Sequence, residues 1–193
     1  MNAAYSEGLN RGRFETWTKK PETISLHPIQ VHGTNIVTPE ELPCEADGII
    51  VAWEDFNKPL AIKTADCLPI VIEGEDGVVF LHAGWRGLAD GILSRPEIER
   101  VKPQRVFIGP SIHPCCFEVS DDFKKNFPDS PFFRSINNKT YFNLQEEAKR
   151  LLRKKFPSLL IQIAPVCTCC NEDLHSYRRN KTTDRNWNLY IKG

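Results

Sequence analysis

Residues 77–93 read GVVFLHAGWRGLADGIL, and no other stretch limits the possible folds as tightly. Val78, Val79, Phe80 and Leu81 form a continuous apolar run with β-branched members, which predicts a buried strand. Gly84 and Gly87 break it ahead of a helix-like segment ending near Leu93. His82 therefore falls where a strand ends. In α/β sheets ligands bind in the crevice outside the carboxyl ends of strands, and a helix start offers free N–H groups and a positive dipole end to an anion. Arg86 stands at that mouth with a planar fork suited to phosphate or carboxylate. The competing structural reading is a buried histidine, Trp85 as a core plug and Arg86 paired with a nearby acid.

At 193 residues the chain has the length of one domain with ample material for a core. Its 25 Lys and Arg balance 25 Asp and Glu, which argues against a nucleic-acid or membrane surface dependent on a bulk basic field. No run approaches the roughly 18 apolar residues of a membrane span. Residues 1–20 are polar, without the apolar core of a signal peptide, so a cytoplasmic location is expected. Seven cysteines then speak for thiolate chemistry or metal binding rather than a disulfide framework. Cys167-Thr168-Cys169-Cys170 reads as C-x-C-C and lacks a second matching pair at structural-zinc spacing, so small reduced thiols packing at a strand end are expected there.

Along the chain, residues 2–20 show no sustained periodicity and read as an extended or weakly helical lead-in. Residues 24–31 are β-rich, with Pro28 pointing to an edge strand or bulge. Residues 46–53, 60–63, 68–72, 105–109, 159–164 and 188–191 read as strands, with residues 64–67 a turn. Ser120 caps an acidic first turn of a helix running to about Phe127. Residues 143–155 are the clearest helix: Asn143 caps, Glu146 is its capping-box partner, Leu144, Ala148, Leu151 and Leu152 share a face, and Pro157 ends it. A mixed α/β domain follows, with strands outnumbering helices.

Three segments carry candidate chemistry: Gln30-Val31-His32-Gly33, Thr64-Ala65-Asp66-Cys67-Leu68-Pro69, and residues 82–87. Each sets a His or Cys in a turn beside a strand. Two imidazoles and a thiolate would satisfy tetrahedral Zn²⁺ with one position open for catalysis. A Cys67–His82 hydrolase dyad is the alternative.

QVHGTNIV, ADGIIV, TADCLPIVI, HAGWRG, IGPSIHPCCFEV and CTCCNEDLHSYRRNKTTDR, in this order from about Ile29 to the C-terminus, resemble the YfiH-type family, also described as DUF152 or the laccase-like multicopper polyphenol oxidoreductase domain. The resemblance implies a single-domain, four-layered α/β/β/α fold spanning residues 1–193 and related to cysteine-dependent toxin deamidases. It also implies Zn²⁺ held by His32, Cys67 and His82, with zinc expected ahead of copper. The implied activity is phosphorolysis of adenosine, inosine and methylthioadenosine, with adenosine deamination at the same site. The partners are then a purine nucleoside and phosphate, with no nucleic acid and no membrane. Family descriptions also include polyphenol oxidation and, in some bacterial members, editing of cytoplasmic peptidoglycan precursors, for which Cys67 and His82 would serve as a hydrolase pair.

In this chain the family's N-terminal segment is shortened before Ile29. Asp184 stands where glycine is expected, and His113 where a small residue is usual. For deamination, Asp66 is the nearest proton carrier by sequence. For phosphorolysis, Arg86 and Arg178 would hold the phosphate, and Trp85 or Tyr177 would stack on the purine.

Overall fold

The computed structural model describes residues 2–193. In chain order the elements are β1 (Tyr5–Gly8), β2 (Gly12–Trp17), β3 (Ile36–Val37), β4 (Gly48–Ala52), β5 (Leu60–Thr64), β6 (Leu68–Gly74), β7 (Gly77–Ala83), α1 (Trp85–Ala89), β8 (Pro103–Ile108), β9 (Glu118–Val119), β10 (Phe133–Ile136), β11 (Lys139–Phe142), α2 (Leu144–Lys155), β12 (Leu160–Ile163), α3 (Tyr177–Asn180) and β13 (Asn186–Lys192). The result is a mixed α+β domain with several sheets and few helices, as the sequence implies.

The central sheet has the order β12-β8-β6-β7-β4-β3. Its two middle strands, β6 and β7, are buried along their whole length, which is why they read as continuous apolar runs rather than alternating ones. Alternate side chains serve two cores. Leu68, Ile70, Ile72, Val79 and Leu81 pack with Leu88, Ile92, Leu144, Ala148 and Leu152 on the helical side. Val71, Val78 and Phe80 pack on the other side with Phe14, Leu60, Ile62 and Tyr190 of a second, antiparallel sheet ordered β1-β2-β13-β5. A third small sheet, β10-β11-β9, carries Phe133 and Phe142, stacked 4.5 Å apart, onto the first core.

Several expectations need correction. Residues 2–20 are extended rather than helical and more than a lead-in: Tyr5–Trp17 form the β1–β2 hairpin, whose inner strand pairs with β13 from Trp17↔Trp187 to Gly12↔Lys192. The buried Glu73 fixes its turn by accepting from the Asn10 and Arg11 N–H groups and from the Tyr190 hydroxyl. Residues 24–31 form no strand, because only Leu26 and Ile29 find bridge partners, Leu60 and Glu45. The stretch after His82 is the single turn α1 followed by a 3₁₀ turn over Ile92–Ser94, and Asp121–Asn126 is likewise 3₁₀, without a side-chain cap from Ser120. Asn143 does cap α2 by accepting from the Glu146 N–H, but the Glu146 carboxylate pairs with Lys149 instead of closing a capping box.

Candidate functional site

The site lies at the edge of the central sheet where β7 ends and β4 and β6 begin. The β6–β7 register sets Pro69 opposite His82, and so brings Cys67, one residue before β6, next to the end of β7. The β4–β7 register pairs Gly48 with Leu81, and one residue further Asp47 faces His82. Asp47 is fully buried and accepts from His82 Nδ1 at 2.7 Å. Its oxygens also accept the backbone N–H groups of His32 (3.0 Å) and Gly33 (2.6 Å). This fastens the QVHG loop in the left-handed turn that His32 adopts (φ 62). With Nδ1 donating to a carboxylate, His82 turns Nε2 to the site.

His32, Cys67 and His82 thus come together: one ligand atom from each lies within 4.8 Å of the others. The two imidazoles meet edge to face, with ring centroids 4.7 Å apart. Burial opposes ionisation of both Cys67 and His82, yet their partners outweigh it. The neighbouring His32 and His82 bring the Cys67 thiol down to about 6, and Asp47 with Cys67 lifts the His82 imidazole to about 9. Burial likewise opposes the Asp47 carboxylate, but its bond to His82 and the loop N–H groups holds it below the usual range. Two imidazole nitrogens, one thiolate and a carboxylate behind one histidine make a donor set that fits a divalent ion with a position left open.

Space around the centre is limited at one point. A Cβ added to Gly87 would sit 2.8 Å from the Gly33 carbonyl oxygen, so α1 packs directly on the loop that carries His32. Gly87→Ala is expected to displace that loop and weaken metal retention by on the order of tenfold. Competition with a chromophoric chelator checks this. Unchanged retention would show that the loop yields without moving His32.

The three donors line a cavity of about 710 Å³. All the other candidates border it as well: Asp66, Trp85, Arg86, Tyr177 and Arg178. Lys63, Lys181 and Arg185, which sequence reasoning missed, add three more cations, whereas among the described residues Asp66 is the one carboxylate in the lining. Arg86 is exposed, stacks 4.9 Å from the Trp85 ring centroid and forms no ion pair among the described residues. Trp85 is half-buried and also packs on Phe123, centroids 5.3 Å apart. Tyr177 is 51% exposed, with Lys181 over its ring. Arg178 commits one guanidinium nitrogen to the carbonyls of Cys116 (3.0 Å) and Glu118 (2.8 Å).

Asp66 is already engaged at both oxygens, accepting from the Thr168 hydroxyl at 2.7 Å and the Arg178 N–H at 2.6 Å. Its left-handed backbone (φ 92) directs the chain into Cys67, and these bonds, with Ile112 N–H donating to its carbonyl, hold the strained turn. Asp47 is the largest omission of the sequence reading. It lies in the ADGIIV motif, where an acid directly before a strand whose first four residues are buried was its only signal.

Comparison with known proteins places the fold and the family. A family model described as multi-copper polyphenol oxidoreductase laccase matches residues 8–191. A protein of Aquifex aeolicus named purine nucleoside phosphorylase is 35% identical over 194 residues, covering 96% of this chain and 90% of that protein. Purine nucleoside phosphorylase YlmD of Geobacillus stearothermophilus is 32% identical over 90% of this chain and 74% of its own length. Among solved structures, a DUF152 protein of Neisseria meningitidis superposes with a TM-score of 0.76 at 29% identity, covering 88% of this chain and 75% of that one. A shared fold, a match over nearly the whole chain and relatives above 30% identity lead to one conclusion: the chain belongs to the YfiH/DUF152 family, the multi-copper polyphenol oxidoreductase laccase family.

Proposed function

We propose that this chain is a zinc-dependent purine nucleoside phosphorylase that cleaves adenosine, inosine and methylthioadenosine to free base and ribose 1-phosphate, with adenosine deamination at the same site. The observation that carries this reading is a cation-lined cavity opening onto the His32–Cys67–His82 centre. The names of the relatives from Aquifex and Geobacillus support it.

In phosphorolysis a phosphate oxygen bonds to ribose C1′ as the bond from C1′ to the purine nitrogen breaks, and the electron pair leaves with the base. The chain's task is to hold a dianion in line with that bond and to favour the departing base. Arg86 offers a free fork at the cavity mouth, and Lys63, Lys181 and Arg185 add positive field around it. Trp85 and Tyr177 present ring faces on which a purine stacks. Asp66 acts here by holding Cys67 and the Arg178 segment in place, because both of its oxygens are bonded. A bound divalent ion would supply Lewis-acid polarisation beside these groups.

The direct test incubates zinc-loaded protein with adenosine, with and without phosphate, and separates the products. Adenine and ribose 1-phosphate that appear only with phosphate, together with some inosine, are the expected result. Phosphate-independent products unaffected by loss of Cys67 would overturn the reading. Arg86→Lys keeps the charge but loses the fork, so the KM for phosphate should rise about 5- to 150-fold, the equivalent of roughly 1–3 kcal/mol, without a change in melting temperature. A lowered Tm with normal phosphate dependence would make Arg86 structural.

A second reading rests on the order Asp47, His82, Cys67, in which Asp47 bonds His82 and the Cys67 sulfur lies within 4.8 Å of the His82 ring nitrogen, and which matches an orienting acid, base and thiol nucleophile of a hydrolase acting on cell-wall precursors. Such an enzyme is stopped by alkylation and survives a chelator, the reverse of the metal-dependent case. Copper oxidase chemistry has less support. Outside the central pair, His175 bonds the Thr18 carbonyl, and among the described residues no third histidine joins a cluster of metal ligands.

A further inference from the structure

The C-x-C-C stretch has the matching pair that its sequence lacks. Ser111 bridges Cys167 in parallel, with the Thr168 N–H donating to the Ser111 carbonyl at 3.0 Å, and this brings the turn holding Cys115 and Cys116 against the turn from Cys167 to Cys170. One sulfur from each of Cys115, Cys116, Cys167 and Cys170 lies within 4.8 Å of the others. Read in this register the second turn is C-x-x-C, the spacing of structural zinc sites, with Thr168 and Cys169 as the spacers and Cys169 packed against the core.

We infer that Cys115, Cys116, Cys167 and Cys170 form a second metal site, a tetrathiolate that binds one Zn²⁺ structurally and ties two turns together behind the wall of the cavity. It is independent of the His32–Cys67–His82 centre. The sulfur separations support it: 3.3 Å for Cys116–Cys170, 3.6 Å for Cys115–Cys170 and 3.8 Å for Cys115–Cys167. A tetrahedron with Zn–S bonds of about 2.3 Å has edges of about 3.8 Å, so small adjustments seat the ion. A disulfide would need sulfurs about 2.04 Å apart.

Burial and the neighbouring thiols push Cys115 and Cys116 above the usual thiol range, so without an ion these two stay protonated, while Cys167, against the effect of burial, is drawn down by backbone donors. The His113 N–H donates to Cys167 Sγ at 3.3 Å, the kind of bond that supports a sulfur anion. Four thiols surrender four protons to solvent as four Zn–S bonds form, leaving a net charge of −2 on the unit. Two cations lie against it. Arg178 donates to the Cys116 carbonyl, and Arg179 donates to those of Thr168 (2.9 Å) and Cys169 (3.1 Å). Because Ile112 and Phe117 flank Cys115 and Cys116 and line the cavity, the ion would set the position of one cavity wall.

The test is a zinc count on the full chain, expressed with zinc and purified under a phosphine reductant. Wild type should carry about two ions, Cys67→Ser about one, and Cys67→Ser combined with Cys170→Ser none. Retention of the remaining ion in the double variant, or no zinc in reduced Cys67→Ser, would overturn the site. Should the double variant not fold, Co²⁺ loading of Cys67→Ser decides: intense thiolate-to-cobalt charge-transfer absorption is expected, and its absence refutes the tetrathiolate. Loss of one of the two ions from Cys67→Ser bears on the first centre, and the ion that remains is the one assigned to the tetrathiolate.

Discussion

Asp47→Ala is expected to cost about 3–5 kcal/mol of stability, the scale for removing one partner of a buried pair, and to strip the first metal centre. Asp47 and His82 are 0% and 3% exposed, so no water replaces the missing carboxylate at His82 Nδ1. The same substitution frees the N–H groups of His32 and Gly33, and with them the left-handed turn that aims the His32 ring. Asp47→Asn separates these effects. The amide keeps the volume, but its NH₂ confronts donors wherever it points, since every recorded partner of the Asp47 carboxylate donates to it. Zinc affinity should fall on the order of 10- to 100-fold, with a smaller loss of stability than in the alanine variant. Chemical denaturation and chelator competition on both variants check this. Equal metal affinity in Asp47→Asn and wild type would show that the carboxylate does not orient His82.

How much of this was legible in the sequence depends on how local each signal is. The strands β4 to β8 and the helix α2 show themselves through runs or periods of their own residues. The β1–β2 hairpin does not, because its strands are half-exposed and its inner edge pairs with β13 at the far end of the chain, Glu15 against Leu189. The β10–β11 hairpin carried a usable signal that went unread: Asn137 and Asn138 both take positive φ, 49° and 58°, as a two-residue primed turn requires, between aromatic strands. Residues 24–31 misled in the other direction, with β-rich composition but no neighbouring strand to supply a ladder. In the site, His32, Cys67 and His82 each lie in a short motif and were found together. Asp47 was missed because its role exists only through partners on two other segments. The approach of the two cysteine turns was not legible for the same reason: the spacing between the two is set by the Ser111–Cys167 bridge, not by a motif.

Cys67→Ser should cause the greatest loss of activity while leaving the fold intact. A serine hydroxyl stays protonated where the thiol is drawn down to about 6 by its histidine neighbours, so the substitution removes the one anionic donor of the set. The contacts that build the site persist. Asp47 still holds His82 and the QVHG loop, and Asp66 still holds the turn through Thr168 and Arg178, none of which uses the sulfur. The melting temperature should therefore stay near that of the metal-free wild type, which separates this variant from Asp47→Ala. Phosphate-dependent base release should drop by roughly 10³-fold, the rate equivalent of the several kcal/mol that a Lewis acid contributes. Measuring zinc content and turnover on the same preparation, with chelator-treated and alkylated wild type alongside, assigns the cause. Parallel loss in the serine variant and the chelated enzyme is the expected pattern. Full turnover after chelation, with loss on alkylation and in Cys67→Ser, would instead make Cys67 the nucleophile and His82 its base.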